Sequence, residues 1–303
     1  MSDTFDLGGR PVARIGYGAM ALERFADDLP AGERLLRRAL DLGVDHVDTA
    51  DFYGDSTANG IIRQVLTPGD DVVVVSKVGA LKNPGGPLPI RPAQKPAELR
   101  AAVEDNLRTL GRDRIEVVNL RRLDVGPGVT ATGDQVVDLD DQLAVMTAMR
   151  DEGTIGAIGL SAVATDTLKR ALPAGIVCVQ NAYGLVARQF EDMLELCAAE
   201  GIAWVPFFPL GSGFPGVPKV AEQPEVVAAA GRLGVTPAQV GLAWLLRHAP
   251  NTLLIPGTGS AAHLVENLAV GDIELDAATT AELDGIWAAR FADAGETAPR
   301  WTD

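Results

Sequence analysis

Short, continuous apolar runs alternate along this chain with longer segments whose apolar positions recur at helical spacing. The runs Ile15–Met20, His46–Ala50, Val72–Lys77, Ile115–Arg121, Ala157–Ser161, Val177–Asn181, Ala203–Phe208 and Leu253–Gly257 predict strands. Helical spacing over Pro30–Leu42, Thr57–Leu66, Pro96–Leu110, Leu139–Glu152, Asp166–Leu172, Phe190–Glu200, Pro224–Leu233, Pro237–Arg247 and Ala262–Leu268 predicts the helices between and after them. Strands that are apolar throughout, rather than on alternate positions, suit a parallel sheet covered by helices. Roughly eight β-then-α units therefore predict an α/β fold, a single (β/α)8 TIM barrel spanning 1–303 as one domain. An open doubly wound sheet would want a G-x-G-x-x-G turn after its first strand, and Gly16-Tyr17-Gly18-Ala19-Met20-Ala21 lacks the last glycine. A short N-terminal β-hairpin, about 4–14, is expected around Gly8-Gly9. The tail, about 290–303, has no regular period and is expected either to fray or to fold over the barrel mouth with Trp301 as anchor.

In a closed parallel barrel the C-terminal strand ends share one face, where active sites are assembled. Successive strands end in Asp48, Lys77 and Arg121, with Tyr53 five residues beyond Asp48. A carbonyl becomes an alcohol when one agent gives a hydride and another gives a proton to oxygen. A tyrosine suits the second task when a nearby cation stabilises its phenolate. Lys77 is placed to be that cation and Asp48 to fix it. Spacing alone leaves a plainer reading open, with Asp48 capping a turn, Tyr53 half-buried and Lys77 solvated. The long connections Gly79–Lys95, Arg122–Val137 and the one after Pro209 all follow strands and belong to the same face.

A formal net charge of −15 opposes nonspecific binding to nucleic acid or to an anionic membrane, so neither is an expected partner. An anionic cofactor would need backbone N–H groups at helix starts. Cys178 and Cys197 form no disulfide framework and read as buried free thiols. No basic-then-apolar leader opens the chain and no run of ~18 apolar residues occurs, which predicts a cytoplasmic protein. His46, His248 and His263 have no metal-ligand spacing, so no metal is expected, and Trp204, Trp244 and Trp287 fall on core positions.

The motifs taken together resemble the aldo-keto reductases. Asp48-Thr49-Ala50-Asp51-Phe52-Tyr53-Gly54 is similar to that family's Asp and Tyr motif, and Ser76-Lys77 to its lysine motif. Ile158-Gly159-Leu160-Ser161, with Gln180, resembles the strands that hold a nicotinamide carboxamide. Phe207-Phe208-Pro209-Leu210-Gly211 resembles the segment that stacks an aromatic ring on the nicotinamide and then turns around the pyrophosphate. Ile255-Pro256-Gly257-Thr258 and Glu266-Asn267 resemble the adenosine-end motif, and the match runs in order from about Phe5 to about Leu283.

The resemblance implies reduction of a small-molecule aldehyde or ketone by NADPH, with NADH less expected and with no metal or flavin. It makes Tyr53 the proton donor, Lys77 and Asp48 its tuning pair, and Phe207 the stacking ring. Ser161 and Gln180 would orient the carboxamide, with Gly18 and Met20 lining the reactive end. Leu210, Gly211 and Ser212 would cradle the pyrophosphate, and Glu266 and Asn267 would hold the adenine. Departures are Arg121 where the family usually has a histidine, Ala162 where it usually has an asparagine, and Gly257-Thr258-Gly259-Ser260 in place of a segment with two cations. Arg121 can donate a charge-assisted hydrogen bond to a developing alkoxide, or else turn to a loop carboxylate such as Asp124. Thr258, Ser260 and His263 are the expected partners of a 2′-phosphate. The likeness is closest to the bacterial pyridoxal reductase branch, which implies pyridoxal reduced to pyridoxine. The alternative is a cofactor-binding regulatory or interaction protein on the same barrel, or a reductase of another small carbonyl compound.

Overall fold

The computed structural model describes residues 4–67, 69–126, 128–211 and 218–290. A hairpin of β1 (Thr4–Asp6) and β2 (Pro11–Ala13) comes first, antiparallel, with Phe5 opposite Val12. The chain then runs through β3 (Tyr17–Gly18), α1 (Leu29–Asp41), β4 (His46–Asp48), α2 (Thr57–Val65) and β5 (Val73–Val78). A second small hairpin, β6 (Ala80–Lys82) and β7 (Ile90–Pro92), precedes α3 (Pro96–Leu110) and β8 (Ile115–Arg121). There follow α4 (Leu139–Asp151), β9 (Ile155–Ser161), α5 (Thr165–Ala171), β10 (Ile176–Gln180), α6 (Glu191–Ala199) and β11 (Ala203–Trp204). The chain continues into α7 (Pro224–Leu233), α8 (Pro237–His248), α9 (Ala261–Leu268) and α10 (Ala277–Arg290).

Seven of the strands form one parallel sheet in the order β11-β10-β9-β8-β5-β4-β3. The segment 252–254 joins its two edges. Leu253 N donates to Trp204 O at 2.8 Å, Leu254 N donates to Arg14 O at 2.8 Å and Gly16 N donates to Leu254 O at 2.8 Å. The sheet is thereby closed into a (β/α)8 barrel. Arg14 braces the seam, donating to Thr252 O and to the carbonyls of Leu246 and Ala249 at the end of α8, where a cation also suits the helix dipole.

Side chains on a strand alternate between faces, and the two faces have separate cores. Val73, Val75, Val117, Ala157, Cys178, Ala203, Val205 and Leu253 pack inside the barrel, where Leu7 from the first hairpin plugs the N-terminal end. Val74, Val118, Ile158, Val179 and Trp204 face outward onto the helices. Gly8, at φ 69°, brings the hairpin turn against the barrel floor, where a Cβ would lie 3.2 Å from Val117 Cγ2.

Several expectations are corrected. Only Tyr17–Gly18 of the first strand is extended, and Ala19–Phe25 is a 3₁₀ helix containing Met20. The eighth strand is not a regular strand but isolated bridges, because Pro256 has no N–H to donate. The Gly79–Lys95 connection contains the β6–β7 hairpin, and α10 was not foreseen. Most of the terminal tail, including Trp301, lies outside the described residues. Among the described residues no single helix is long and apolar enough to cross a membrane; α7 and α8 have the composition together but meet at 95°.

Candidate active site

The period of two carries polar side chains inward at the top of the barrel. Val73 and Val75 are followed by Lys77, Val117 by Asn119 and then Arg121, and Ala157 by Gly159 and then Ser161. His46 is followed by Asp48, Cys178 by Gln180, and Ala203 and Val205 by Phe207. The hydrogen bonds cross the lumen. Gln180 Nε2 donates to Asp48 Oδ2 at 2.7 Å, although three strands separate β10 from β4 in the sheet. Lower down, Cys178 Sγ donates to Asn119 Oδ1 at 3.1 Å past β9. That contact needs Gly159, since a Cβ there would collide with Asn119 Oδ1 and sit 2.6 Å from Cys178 Sγ.

Lys77 is buried, its ammonium hydrogen-bonded to Asp48 and, at 3.0 Å, to Thr49 O. Burial alone would drive the ammonium toward neutrality, but attraction to Asp48 and then to Tyr53 outweighs it, and the Lys77 pKa is raised. The Lys77 Nζ lies 5.1 Å from the centre of the Tyr53 ring. Arg121 approaches the same centre, Tyr53 and Asp48 being the groups whose charges act on it, and burial lowers its pKa. Its guanidinium lies 5.5 Å from the Phe207 ring centre, and its Nε–H is buried without an acceptor. The loop carboxylate Asp124 goes to Arg122 instead, at 3.0 Å. The sequence motifs thus bring Asp48, Tyr53, Lys77 and Arg121 together, an arrangement able to deliver a proton from a phenol and to hold negative charge on the oxygen that receives it.

Behind this centre lies a buried polar network that spacing did not reveal. Thr49 Oγ1 donates to Asn59 Oδ1 at 2.8 Å, and Asn59 Nδ2 donates to Thr109 Oγ1 at 2.9 Å. Thr109 and Ser56 both donate to Asp51 Oδ1 at 2.8 Å, and Ser76 donates to Asn106 Oδ1 at 2.5 Å. The turn that carries Tyr53 is therefore tied to α2 and α3. His46, ordinary by its place in the sequence, is buried inside the barrel, where only a glycine at position 16 leaves its ring room.

Ser161 Oγ and Gln180 Oε1 are buried with no hydrogen-bond partner, one hydroxyl donor and one acceptor, as an amide group requires. Ala162 after them has φ 51°, and Asn181 clamps the turn by bonding Val163 N and O at 3.1 and 2.8 Å. Phe207 and Phe208 meet edge to face at 5.3 Å, and Gly211, at φ 90°, turns the chain beyond Leu210. Ser212 lies outside the described residues. Gly18 and Gly257 have a structural reason to be glycine: a Cβ on Gly257 would lie 2.7 Å from Gly18 O. Met20 is exposed at the rim. Thr258 Oγ1 accepts from Ser260 N at 3.0 Å, Ser260 Oγ accepts from His263 N at 3.4 Å as the cap of α9, and Glu266 and Asn267 lie further along that helix. Arg24, missed in the sequence, stands beside this segment; a Cβ on Gly259 would lie 3.9 Å from its Cδ. Its closeness is long-range, and no local signal marks it.

Both cysteines are buried, and burial pushes their thiols up, that of Cys197 to about 12. A cavity of about 220 Å³ reaches Lys77, and a second of about 230 Å³ lies along the connection after β8. The first is walled by Phe52 with Lys82 and Arg91 of the 79–95 connection, the second by Gln94 with Arg122 and Asp124.

The aldo/keto reductase family model matches residues 14–288. Pyridoxine 4-dehydrogenase of Escherichia coli (strain K12) is 46% identical over 292 residues, covering 94% of this chain and 98% of that protein. An uncharacterized oxidoreductase of Schizosaccharomyces pombe is 33% identical over 290 residues, 93% of this chain and 89% of that one. Among solved structures, an aldo-keto reductase from Klebsiella pneumoniae in complex with NADPH superposes with a TM-score of 0.78 at 27% identity, covering 95% of each chain.

Proposed function

The chain belongs to the aldo/keto reductase family, oxidoreductases acting on carbonyl and CH–OH groups, and from that premise we propose that it reduces pyridoxal to pyridoxine with NADPH, Tyr53 supplying the proton. The observation that carries this reading is the buried Lys77 ammonium, held by Asp48 and set against the Tyr53 ring. A lysine so placed keeps its charge and favours the phenolate left after Tyr53 gives its proton to the substrate oxygen. Arg121 offers a second positive charge to that oxygen as it becomes an alkoxide. Gln180 fixes the far oxygen of Asp48, so the carboxylate cannot swing away from Lys77.

The residues fit the dinucleotide. The unpartnered Ser161 Oγ and Gln180 Oε1 match a carboxamide, and Phe207 is held to the same strand end, its N–H donating to Asn181 O at 3.1 Å. Bound there, NADPH supplies the hydride that reduces the carbonyl carbon. Thr258, Ser260, His263 and Arg24 would hold its 2′-phosphate, Arg24 being the cation that the glycine-rich segment lacks. The choice of pyridoxal follows the Escherichia coli relative, a pyridoxine 4-dehydrogenase.

The test is the loss of NADPH absorbance with pyridoxal beside a panel of aromatic aldehydes and quinones, with NADH in parallel. Saturable oxidation with pyridoxal is expected, falling by about a thousandfold or more in Tyr53→Phe while that variant still binds NADPH. Turnover of other carbonyls alone would overturn the substrate, and an undiminished Tyr53→Phe would overturn the proton donor.

A further inference from the structure

Among the described residues Arg121 is the cation at this centre with no direct ion-pair partner, the nearby Asp48 carboxylate being bonded to Lys77 and Gln180 instead. Lys77 is matched by Asp48, whose other oxygen is taken by Gln180, and Arg122 is matched by Asp124. Among the described residues the Arg121 side chain has no hydrogen-bond or ion-pair partner, and its Nε–H is buried. With Asp48, Lys77 and Arg121 all ionised, the centre carries one positive charge in excess, inside a protein whose formal net charge is −15. Leaving a buried charge unmatched is costly, so the geometry favours a ligand that brings a negative oxygen with it.

The surroundings restrict what kind of ligand that is. Arg121 packs on Phe207, which meets Phe208, and Tyr53 meets Phe52 edge to face at 5.1 Å. Aromatic neighbours suit an aromatic ring. A guanidinium also presents parallel N–H groups as a fork, which a pair of closely spaced oxygens satisfies and a single oxygen does not. An aldehyde oxygen and an oxygen on the adjacent ring carbon form such a pair.

We propose that Arg121 selects aromatic aldehydes with an ionised oxygen ortho to the aldehyde, receiving both oxygens on its N–H fork. The proposal rests on the carbonyl-reductase reading above, and pyridoxal, with its ring oxygen beside the aldehyde, is one member of the class. In the reaction the aldehyde carbon gains a C–H bond from the hydride, its electron pair coming from the reduced dinucleotide. The C=O π pair moves onto oxygen, which takes the Tyr53 proton. The ring oxygen enters and leaves ionised, so its part is recognition and charge balance.

The experiment compares 2-hydroxybenzaldehyde, 3-hydroxybenzaldehyde, benzaldehyde and glyoxylate as substrates with NADPH. The ortho isomer should exceed the meta isomer in kcat/KM by roughly ten- to a hundredfold, the range of one charge-assisted hydrogen bond. In Arg121→Met the ratio should fall to near one, whatever happens to the absolute rates. A second readout needs no turnover. Wild-type protein with NADP⁺ should bind 2-hydroxybenzaldehyde as its phenolate, seen as the long-wavelength phenolate absorption at a pH where the free compound is protonated, and Arg121→Met should not. Equal rates for the two isomers, preference for glyoxylate, or absence of the phenolate band in wild type would each overturn the proposal. If no aldehyde is reduced, the reductase reading fails, and the absorption band still decides the role of Arg121.

Discussion

Replacing Asp48 with asparagine keeps the shape of the side chain and an acceptor for Lys77 but removes the charge that holds the ammonium inside the barrel. Lys77 is 4% exposed, and its other acceptor is the neutral Thr49 O at 3.0 Å, so no negative partner would remain. Breaking a buried pair from one side costs about 3–5 kcal/mol, most of it the uncompensated partner. The wild-type Lys77 pKa is raised above its ordinary 10.5, so its contribution to stability is complete below 10.5 and is lost as pH rises through the raised folded value. In Asp48→Asn burial becomes the governing influence and the folded pKa drops below 10.5. The lysine then opposes folding at neutral pH, and this penalty disappears as pH approaches 10.5. Urea unfolding of both proteins at pH 7 and at alkaline pH measures the difference. The gap should be about 3–5 kcal/mol at pH 7 and shrink as pH rises. Adding Lys77→Met to Asp48→Asn should recover most of the stability and none of the activity, because the strain goes with the charge while the support for Tyr53 stays absent. A gap below ~1 kcal/mol at pH 7, the worth of an exposed pair, would refute the reasoning.

Three more outcomes follow from other parts of the molecule. Arg24→Ala should raise KM for NADPH by about tenfold, the worth of one charge-assisted contact, and leave KM for NADH unchanged; equal effects on both would remove Arg24 from the 2′-phosphate. Glu191 accepts from Tyr183 at 2.7 Å, Arg188 at 2.8 Å and His248 at 2.5 Å, and although burial works to raise its pKa these bonds bring it from 4.5 to about 2. Its stabilisation is present above 4.5 and lost as pH falls through about 2. Glu191→Gln should therefore cost roughly 1–3 kcal/mol at pH 7, after discounting for partial exposure, and the thermal melting curves of variant and wild type should converge near pH 2. Gly159→Ala would push Asn119 and Cys178 apart inside the barrel, and overpacking of that kind costs about 1–3 kcal/mol; an unchanged Tm would show that the lumen relaxes freely.

The elements legible in the sequence are those whose limits are set by neighbours in the chain. Helix α3 runs from Pro96 to Leu110, as its spacing predicts, because Pro96 fits the first turn and Gly111, at φ 64°, ends it. Strand β8 likewise coincides with its apolar run. The β6–β7 hairpin was not legible, since strands of three residues such as Ala80–Lys82 and Ile90–Pro92 carry no apolar run. Helix α10 shows the core little beyond Thr279, Leu283 and Ile286, too sparse a stripe to stand out. Within the site, Asp48, Lys77 and Arg121 were legible as strand ends. The bond from Gln180 to Asp48 was not, because it depends on the sheet curving until β10 faces β4. The same holds for Arg24 beside Gly259 and for the network through Asn59.

Backbone strain points to the same face independently of any motif. Among the described residues the non-glycine positions with positive φ are Asp55, Ser56, Leu123, Ala162 and Phe208. Each lies in a connection leaving the C-terminal end of a barrel strand, after β4, β8, β9 or β11. A left-handed conformation costs an ordinary residue about 1–2 kcal/mol, so strain is gathered on the face that holds Tyr53 and Arg121. At Ala162 there is no side-chain oxygen to ease the conformation as an asparagine would, and Asn181 bonds the neighbouring Val163 on both sides instead. That clamp fixes the turn directly after Ser161, whose hydroxyl is one of the two buried groups left for a carboxamide. The fold therefore accepts strain where side chains must be aimed, and the rigid hydrogen-bonded strands beneath supply the support that makes the strain tolerable. Relieving it at position 162 with glycine would then be expected to stabilise the local backbone while loosening the aim of Ser161, a separation of stability from cofactor grip that a wholly structural turn would not show.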